Sequence, residues 1–426
     1  MTIRILVVDD SVVIRKLLTA TLADVPGMEV VATAALGKIA LAKIPQVNPD
    51  IVILDVEMPE MNGIETLRLI RKDSPRLPVI MFSTKTERGA AATIEALTCG
   101  ASDYVTKPSN AGNVLVAMAR VRDEMVPKIH ALTGGARAAA ARVATGPAST
   151  SPASKTITLP VATTIGTSTH AMAALSSSPT VPMATLPSPA IAPARQTVPL
   201  AVHSKAATTP IRLDPAPRPI RQTGPRPPVE IIAIGASTGG PNALSMMLAQ
   251  LPAEFPVPIV IVQHMLATFT RHFAERLASQ CQIRIVEATA GDVLQPGHAY
   301  IARGDYHLVV ERRTGRPNLQ LNQDQFENFC RPAVDVLFRS VAQVYGASAL
   351  AVILTGMGHD GMLGCGAIRD AGGEVLVQDE PSSVVWGMPG FVARAGLANQ
   401  VMPLDRLGGE LRRRVALGGP RVGATQ

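Results

Sequence analysis

The sequence predicts two α/β domains, each built on a mostly parallel sheet, with a long disordered linker between them. Short apolar runs alternate with helical patterns over residues 1–130 and again over residues 229–418. Over residues 131–228 this periodicity disappears, Ala, Ser, Thr and Pro dominate, and aromatic residues are absent. Such a segment lacks the side chains from which a core is built. Residues 419–426 are expected to form a flexible tail.

The first domain shows five strand patterns, each followed by a helical pattern. Strands are expected at residues 2–9, 30–33, 50–55, 78–83 and 103–106, and helices near residues 14–22, 38–44, 63–72, 89–97 and 113–128. This alternation implies a parallel sheet with helices on both faces. Ligands of such sheets bind at the carboxyl ends of the strands.

Five polar residues fall at those strand ends: Asp9, Asp10, Asp55, Ser83 and Lys107. Carboxylates gathered in one crevice repel each other unless a cation joins them, and hard oxygen ligands suit Mg²⁺. A lysine and a serine in the same crevice would hold a phosphoryl group placed on one aspartate. Acids that merely cap helices and turns would explain one or two of these positions, but not all five.

The second domain alternates strand and helix patterns again. Strands are expected at residues 231–234, 259–262, 284–287, 299–302, 307–311, 349–355 and 374–378, and helices at residues 242–251, 268–279, 334–344 and 361–371. Most of these strands are continuous apolar runs, which favours a doubly wound, mostly parallel sheet buried on both faces. The strands at 299–302 and 307–311 are separated by Arg303-Gly304-Asp305, a spacing that predicts an antiparallel hairpin.

The stretch EIIAIGASTGGP, which begins at Glu230, places Ser237 in a sharp Gly-rich turn between a strand and a helix. Strand, turn and helix N-terminus together match the G-x-S-x-G context of a nucleophilic serine. A small serine in a Gly-rich turn is structural about as often. The turn lacks the G-x-G-x-x-G spacing of a dinucleotide site.

A base and an orienting carboxylate follow other strands of the same domain. His264 follows the strand at 259–262, and Asp360 lies just beyond the strand at 349–355. A serine hydroxyl needs an imidazole to take its proton, and the imidazole needs a carboxylate on its other nitrogen. His359 competes as the base, although its neighbour Asp360 could not easily pair with it. Flanking glycines make the Met357 backbone N–H a natural oxyanion donor.

The charge distribution argues against nucleic acid as a partner. Nine Lys or Arg residues and one acid lie between Gly134 and Pro228, a local net charge of +8 against +7 for the whole chain. The basic excess therefore lies in the linker and not on a folded face. The four cysteines show no CxxC pairing, no apolar run reaches membrane-spanning length, and no signal peptide is visible. These features predict a cytoplasmic protein without direct membrane insertion.

The first domain resembles a response-regulator receiver domain through the runs VVDD, ILDVEMP, PVIMFS and YVTKP. The resemblance covers about the first 125 residues and implies a flavodoxin-like strand order, 2-1-3-4-5. It also implies phosphorylation of Asp55 by a histidine kinase. The further implied roles are Mg²⁺ binding by the carboxylates of Asp10 and Asp55, by Asp9 through water and by the Glu57 backbone carbonyl, with Ser83 and Lys107 contacting the phosphoryl group.

The second domain resembles the catalytic domain of the chemotaxis protein-glutamate methylesterases, the CheB family. The matching runs are IGASTGGP, VQHM, FTRHFAERL, RPAVDVLF, LTGMGHDG and QDEPSSVVWGMPG. The resemblance implies a Ser237, His264 and Asp360 triad, with the Met357 N–H in the oxyanion hole and no cofactor in this domain. The implied activity is hydrolysis of glutamate γ-methyl esters on chemoreceptors, often with deamidation of receptor glutamines. Leu266 departs from the family, which usually has proline there.

The resemblance further implies that the unphosphorylated receiver covers the active site and that phosphorylation of Asp55 releases it. Two other functions stay open from the residues alone. One is a response regulator whose output domain only binds a partner, with the Gly-rich loop serving as a turn. The other is a serine hydrolase of small acyl esters. The chain order Ser–His–Asp differs from the Ser–Asp–His order of α/β-hydrolases and argues against that family.

Overall fold

A computed structural model of the chain describes residues 2–108, 114–144, 227–313 and 315–416. The described residues belong to one compact unit that contains two α/β domains. The predicted tail at 419–426 and most of the predicted linker, residues 145–226, lie outside the described residues. Among the described helices, none combines the length and apolar character needed to cross a bilayer.

The amino-terminal domain is a five-stranded parallel sheet in the order β2-β1-β3-β4-β5, which confirms the predicted fold. The strands are β1 (Ile3–Val8), β2 (Met28–Ala34), β3 (Ile51–Asp55), β4 (Val79–Ser83) and β5 (Asp103–Thr106). The helices are α1 (Val12–Ala23), α2 (Gly37–Val47), α3 (Gly63–Asp73), α4 (Glu87–Thr98) and α5 (Val114–Ala144). Strands β3, β4 and β5 are buried along their whole length, as expected for a sheet covered on both faces.

Helix α5 continues sixteen residues beyond the predicted end at Lys128. Its first part has the expected apolar face, with Met125, Ile129 and Leu132 buried at spacings of three and four residues. The later part contains the run RAAAAR, where that periodicity ends. Alanine has the highest helix propensity and supports a helix without an apolar stripe. The apolar pattern alone therefore underestimated the length of this helix.

The carboxy-terminal domain contains a seven-stranded sheet in the order β14-β13-β12-β6-β7-β9-β8, parallel throughout. Its strands are β6 (Ile231–Ala236), β7 (Ile259–Gln263), β8 (Arg284–Glu287), β9 (His298–Ile301), β12 (Ala349–Ile353), β13 (Glu374–Gln378) and β14 (Gln400–Met402). Strand β6 lies between β12 and β7. Because parallel strands end at the same edge, the residues that follow β6, β7 and β12 meet there.

Six α-helices accompany this sheet: α6 (Gly240–Leu248), α7 (Ala267–Ala278), α8 (Val334–Tyr345), α9 (Met362–Asp370), α10 (Met388–Arg394) and α11 (Leu404–Ala416). Helices α10 and α11 and strand β14 were not among the predicted elements. Burial explains α11, because Leu407, Leu411 and Val415 form an apolar stripe against the core.

The predicted hairpin between residues 299–302 and 307–311 is wrong. Strand β9 pairs in parallel with β7 and β8 inside the large sheet. The following strand, β10 (His307–Arg313), instead pairs antiparallel with β11 (Arg316–Asn322) in a separate two-stranded sheet. The apolar residues Ala299, Tyr300 and Ile301 are buried in this strand, which β7 and β8 flank on its two sides. A short turn between two strands therefore did not determine their pairing.

Candidate active site

Ser237 lies in the turn between β6 and α6, where backbone hydrogen bonds fix its position. Its N–H donates to the Thr355 carbonyl at 3.1 Å, and its own carbonyl accepts from the Gly240 N–H at 2.7 Å. Gly239 has a φ of 78°, in the left-handed region that favours glycine. A Cβ at Gly240 would overlap the Gln263 side chain. The turn thus needs its glycines to hold Ser237 at the end of the strand.

His264, which follows β7, and Asp360, which follows β12, are brought together across the end of β6, the strand that lies between them. The His264 Nε2 lies 2.8 Å from Asp360 Oδ2, and both side chains are largely buried. The backbone N–H groups of Val334, Asp335 and Gly361 also donate to the Asp360 carboxylate, at 2.7, 3.0 and 2.9 Å. These donors fix the carboxylate, and the carboxylate fixes the orientation of the imidazole.

The pKa values of this pair move in opposite directions. Burial lowers the pKa of His264, but hydrogen bonds to Asp360 and Cys330 outweigh burial and raise it to about 10. Burial raises the pKa of Asp360, but the hydrogen bond from His264 and the backbone donors outweigh that effect and lower it. Each partner therefore favours the charged form of the other at neutral pH.

The structure does not pair Ser237 with the imidazole. Among the described residues, the side-chain partners of the His264 ring are Asp360 at Nε2 and the Cys330 sulfur, 3.6 Å from Nδ1. Ser237, His264 and Cys330 nevertheless line the same cavity, which has a volume of about 700 Å³. Serine–histidine hydrogen bonds in uncomplexed sites are often long and tighten only with substrate.

The backbone around Met357 lies directly against the nucleophile turn. A Cβ placed on Gly356 would come within 2.9 Å of the Ser237 Cβ, so only glycine permits this approach. The Gly356 N–H donates to Val385, whereas the Met357 N–H carries none of the hydrogen bonds found in the described part of the chain. Met357 also lines the cavity. An N–H in this position is suited to an oxyanion. His359, the competing base, packs edge-on against Phe391.

A second cluster of charged residues lies at the strand ends of the amino-terminal domain. Asp9 and Asp55 are almost fully buried, and the Lys107 ammonium lies 2.9 Å from Asp9 Oδ2 and 2.8 Å from Asp55 Oδ2. Apart from these ion pairs, the two oxygens accept no hydrogen bond from the described residues. Oxygens of Asp9, Asp10 and Asp55 all lie within 4.8 Å of one another. The site therefore offers a hard cation at least three carboxylate oxygens.

Burial is the largest influence on the ionisation of Asp55. It raises the pKa of Asp55 to about 6, against the lowering effect of Lys107. Asp55 Oδ1 accepts from the Glu57 N–H at 3.2 Å, which places the backbone of Glu57 beside the carboxylate. The Ser83 hydroxyl donates elsewhere, to the Gly89 carbonyl in α4 at 3.1 Å. All the residues predicted for this site thus lie around one crevice, with Ser83 turned toward α4.

Family models match both domains. The model described as CheB methylesterase matches residues 232–411, and the model described as response regulator receiver domain matches residues 5–119. A protein-glutamate methylesterase/protein-glutamine glutaminase of Trichodesmium erythraeum (strain IMS101) is 45% identical over 97% of this chain and 99% of its own length. The chain belongs to this family. It is therefore a carboxylic ester hydrolase with a receiver domain, as the sequence predicts.

Two further proteins are similar to this chain, one over nearly its full length and one over less than half of it. A protein of the same name from Nocardioides sp. (strain ATCC BAA-499 / JS614) is 44% identical over 97% of this chain and 96% of its own length. The crystal structure of the Thermotoga maritima CheB methylesterase catalytic domain is 41% identical over 43% of this chain and 97% of that chain, with a TM-score of 0.43.

The receiver contacts the methylesterase domain at the nucleophile turn itself. The Thr238 hydroxyl donates to Asp103 Oδ2 at 2.5 Å, and both residues are buried. The Gly239 N–H donates to the Ser102 carbonyl at 3.1 Å. The other oxygen of Asp103 accepts from the Lys128 ammonium at 3.1 Å. The receiver therefore binds the two residues that follow Ser237.

A second contact lies beside the base. The Leu266 N–H donates to the Tyr104 hydroxyl at 3.3 Å, and the Tyr104 ring packs against Phe269 with centroids 4.6 Å apart. Proline, the residue that the resemblance to the family implies at this position, has no N–H to donate. The departure at Leu266 therefore supplies a hydrogen bond between the two domains.

Several residues of the site were missed from the sequence. The Gln263 amide donates to the carbonyls of Ser237 and His264 and so ties the two loops together. Asn328 donates to both Asp335 and Asp360, at 2.9 and 2.8 Å. Gln263 precedes His264 in a matched run, which is a usable signal. Asn328 and Cys330 lie in an irregular loop whose sequence carries no periodicity.

We expect replacement of Asp360 by Asn to lower the pKa of His264. Removing the carboxylate charge leaves burial as the main remaining influence, and burial disfavours the imidazolium. The His264 pKa should then fall to its ordinary value near 6.5 or below it. An NMR titration of the His264 ring measures this shift. Asp370→Asn, which changes an exposed carboxylate, is the matched control. An unchanged His264 pKa in Asp360→Asn would contradict the pairing.

Proposed function

We propose that the chain hydrolyses γ-methyl esters of glutamate residues on the cytoplasmic part of chemoreceptors and releases methanol. Ser237 is the nucleophile, His264 the base and Asp360 the carboxylate that orients it. The observation that carries the proposal is the His264–Asp360 pair, 2.8 Å apart, in the cavity that Ser237 also lines. The same attack on a primary amide would deamidate receptor glutamines.

The reaction follows from which ring nitrogen is available. Asp360 occupies Nε2 of His264, so Nδ1 takes the proton from Ser237 as its oxygen attacks the ester carbonyl. The Met357 N–H stabilises the oxyanion, a contribution typically worth about 3–4 kcal/mol. The protonated imidazole then gives its proton to the departing methoxy group. Water attacks the acyl-serine by the same steps and restores Ser237.

The geometry fits a resting form of this enzyme. Nδ1 faces Cys330 and not Ser237, and the raised pKa of His264 favours the imidazolium, which cannot accept a proton. The receiver residues Asp103 and Tyr104 line the cavity of the active site. Met357 and Val385 pack against the apolar cluster that contains α5 residues. The docked receiver therefore narrows access to the active-site cavity and holds the loop that carries the Met357 N–H.

Phosphorylation of Asp55 by a histidine kinase is the proposed release signal. The carboxylates of Asp9, Asp10 and Asp55 fit a Mg²⁺ ion, because their oxygens lie within 4.8 Å of one another, and the Glu57 carbonyl is the further proposed ligand. Bound there, Mg²⁺ would offset the negative charge of the carboxylates and of the incoming phosphoryl group. Lys107 already lies against Asp55 and would pair with a phosphoryl oxygen.

The signal has a structural route to the domain contact. Ser83 would turn from the Gly89 carbonyl of α4 toward the phosphoryl group, which removes a hydrogen bond that holds α4. Helix α4 packs against α6 and α7. The Glu87 Oε2 of α4 lies 2.7 Å from the His272 Nε2 of α7. A shift of α4 thus changes the surface on which the two domains meet. With a kinase and the cytoplasmic part of a receptor as its proposed partners, the enzyme is proposed to act in the cytoplasm.

We expect Ser237→Ala to abolish methanol release from methylated receptor fragments while the fold is retained. The change removes only the attacking oxygen, and loss of a serine nucleophile in such triads costs on the order of 10⁶-fold in rate. Gas chromatography of methanol measures the rate, and circular dichroism checks the fold. Ser245→Ala, in the adjacent helix, is the matched control.

Retained methanol release by Ser237→Ala would refute the triad. The rival functions separate in the same assay. A purely binding output domain would release no methanol even in the wild type, and a small-ester hydrolase would prefer a small acyl ester to the receptor.

We expect Asp103→Ala to raise the activity of the unphosphorylated protein. The change removes the hydrogen bond from Thr238 to a charged acceptor, an interaction worth about 1.5–3 kcal/mol. The docked state should weaken about tenfold or more, and basal methanol release should rise toward the phosphorylated level. Asp73→Ala, an exposed receiver carboxylate, is the control. Unchanged basal activity in a folded Asp103→Ala protein would contradict this role of the contact.

A further inference from the structure

The free side of the catalytic imidazole faces a thiol. Cys330 Sγ lies 3.6 Å from His264 Nδ1, the nitrogen that Asp360 leaves available. Both side chains are partly buried and line the cavity of about 700 Å³. Ligand atoms of His264, Cys330 and Asp360 all lie within 4.8 Å of one another. The proposed reaction uses the imidazole and the carboxylate but gives the thiol no task.

The separation of these two atoms suits a shared metal ion. Zinc binds imidazole nitrogen at about 2.0–2.1 Å and thiolate sulfur at about 2.3 Å, usually with tetrahedral geometry. Two such ligands at a tetrahedral angle lie roughly 3.5 Å apart. The observed 3.6 Å between Nδ1 and Sγ therefore places both atoms where one zinc ion would hold them, with little movement of either side chain.

Asp360 supplies the outer support that such a site requires. Metal-binding histidines commonly donate their second ring N–H to a carboxylate, which fixes the tautomer and raises ligand basicity. Here Asp360 Oδ2 contacts Nε2 at 2.8 Å. The carboxylate also accepts from Asn328 and from three backbone N–H groups, so its lone pairs are engaged. Asp360 would therefore hold the zinc-bound imidazole through Nε2 and would not itself bind the metal.

We infer that His264 Nδ1 and Cys330 Sγ form a binding site for zinc, which inhibits the enzyme reversibly by occupying the base. Water from the cavity completes the coordination. The inhibition rests on the proposed role of His264 as the base, whereas the binding does not. A hard cation such as Mg²⁺ prefers oxygen ligands and does not compete for this site.

The test uses the full chain, stripped of metal with a chelator that is then removed. Cobalt replaces zinc as the spectroscopic probe, because a thiolate bound to Co²⁺ gives a charge-transfer band in the near ultraviolet. Wild type and Cys281→Ala, a matched thiol control, should both give the band, and Cys330→Ala should lose it. In parallel, zinc is titrated against methanol release, with each variant normalised to its own metal-free rate.

We expect saturating zinc to reduce methanol release at least about tenfold in wild type and Cys281→Ala, and EDTA to restore it. Cys330→Ala should need at least about tenfold more zinc for the same inhibition. Equal zinc sensitivity of Cys330→Ala and wild type, or no thiolate band in the wild type, would overturn the proposal. A thiolate band with Co²⁺, given by a chain that releases no methanol even when metal is absent, would support the metal site while refuting the proposed function.

Discussion

The regulation of this molecule depends on the hydrogen bonds that the Asp103 carboxylate accepts. One of its oxygens accepts from the Thr238 hydroxyl and the other from the Lys128 ammonium. Thr238 is held from its own domain as well, because its carbonyl accepts from the Thr355 hydroxyl at 2.9 Å. A buried charge is stable only with such partners, and separating the domains removes Thr238 while Lys128 stays, so that water must replace the hydroxyl. The receiver thus binds the methylesterase domain at Thr238, the residue that follows the nucleophile.

The parallel sheet explains why one contact reaches so much of the active site. Strands β12, β6 and β7 are neighbours, so the loops that carry Asp360, Ser237 and His264 share one edge. The side chain of Gln263 joins two of these loops. A receiver docked on Thr238 and on Leu266 therefore touches both the nucleophile loop and the base loop.

Much of this arrangement could be predicted from the sequence, because it depends on local patterns. Buried strands show as apolar runs, and polar residues just after them show where a site lies, as for Asp55 and His264. Pairing between strands is not a local property, so the hairpin prediction failed when β9 joined β7 and β8. Contacts between domains leave even less signal. Asp103 and Thr238 are separated by 135 positions, and neither stands out in its own run.

The loop around Cys330 could not be predicted from such patterns, for a different reason. Asn328 and Phe329 both adopt positive φ, at 52° and 61°, in a loop that residue periodicity does not describe. With this conformation, Asn328 donates one hydrogen bond to Asp335 and another to Asp360. The same loop places Cys330 beside His264. The pattern of apolar residues reports burial, whereas these positions are set by backbone geometry and hydrogen bonding.

Amide hydrogen exchange at Gly239 is the measurement that tests this regulation most directly. The Gly239 N–H donates to the Ser102 carbonyl of the receiver. The full chain is compared with and without a small-molecule phosphodonor, and Ile234 inside β6 serves as the internal reference. Release of the receiver predicts faster exchange at Gly239 on phosphorylation, with Ile234 unchanged. Unchanged protection of Gly239 while methanol release rises would contradict the claim that receiver docking on the nucleophile turn controls the enzyme.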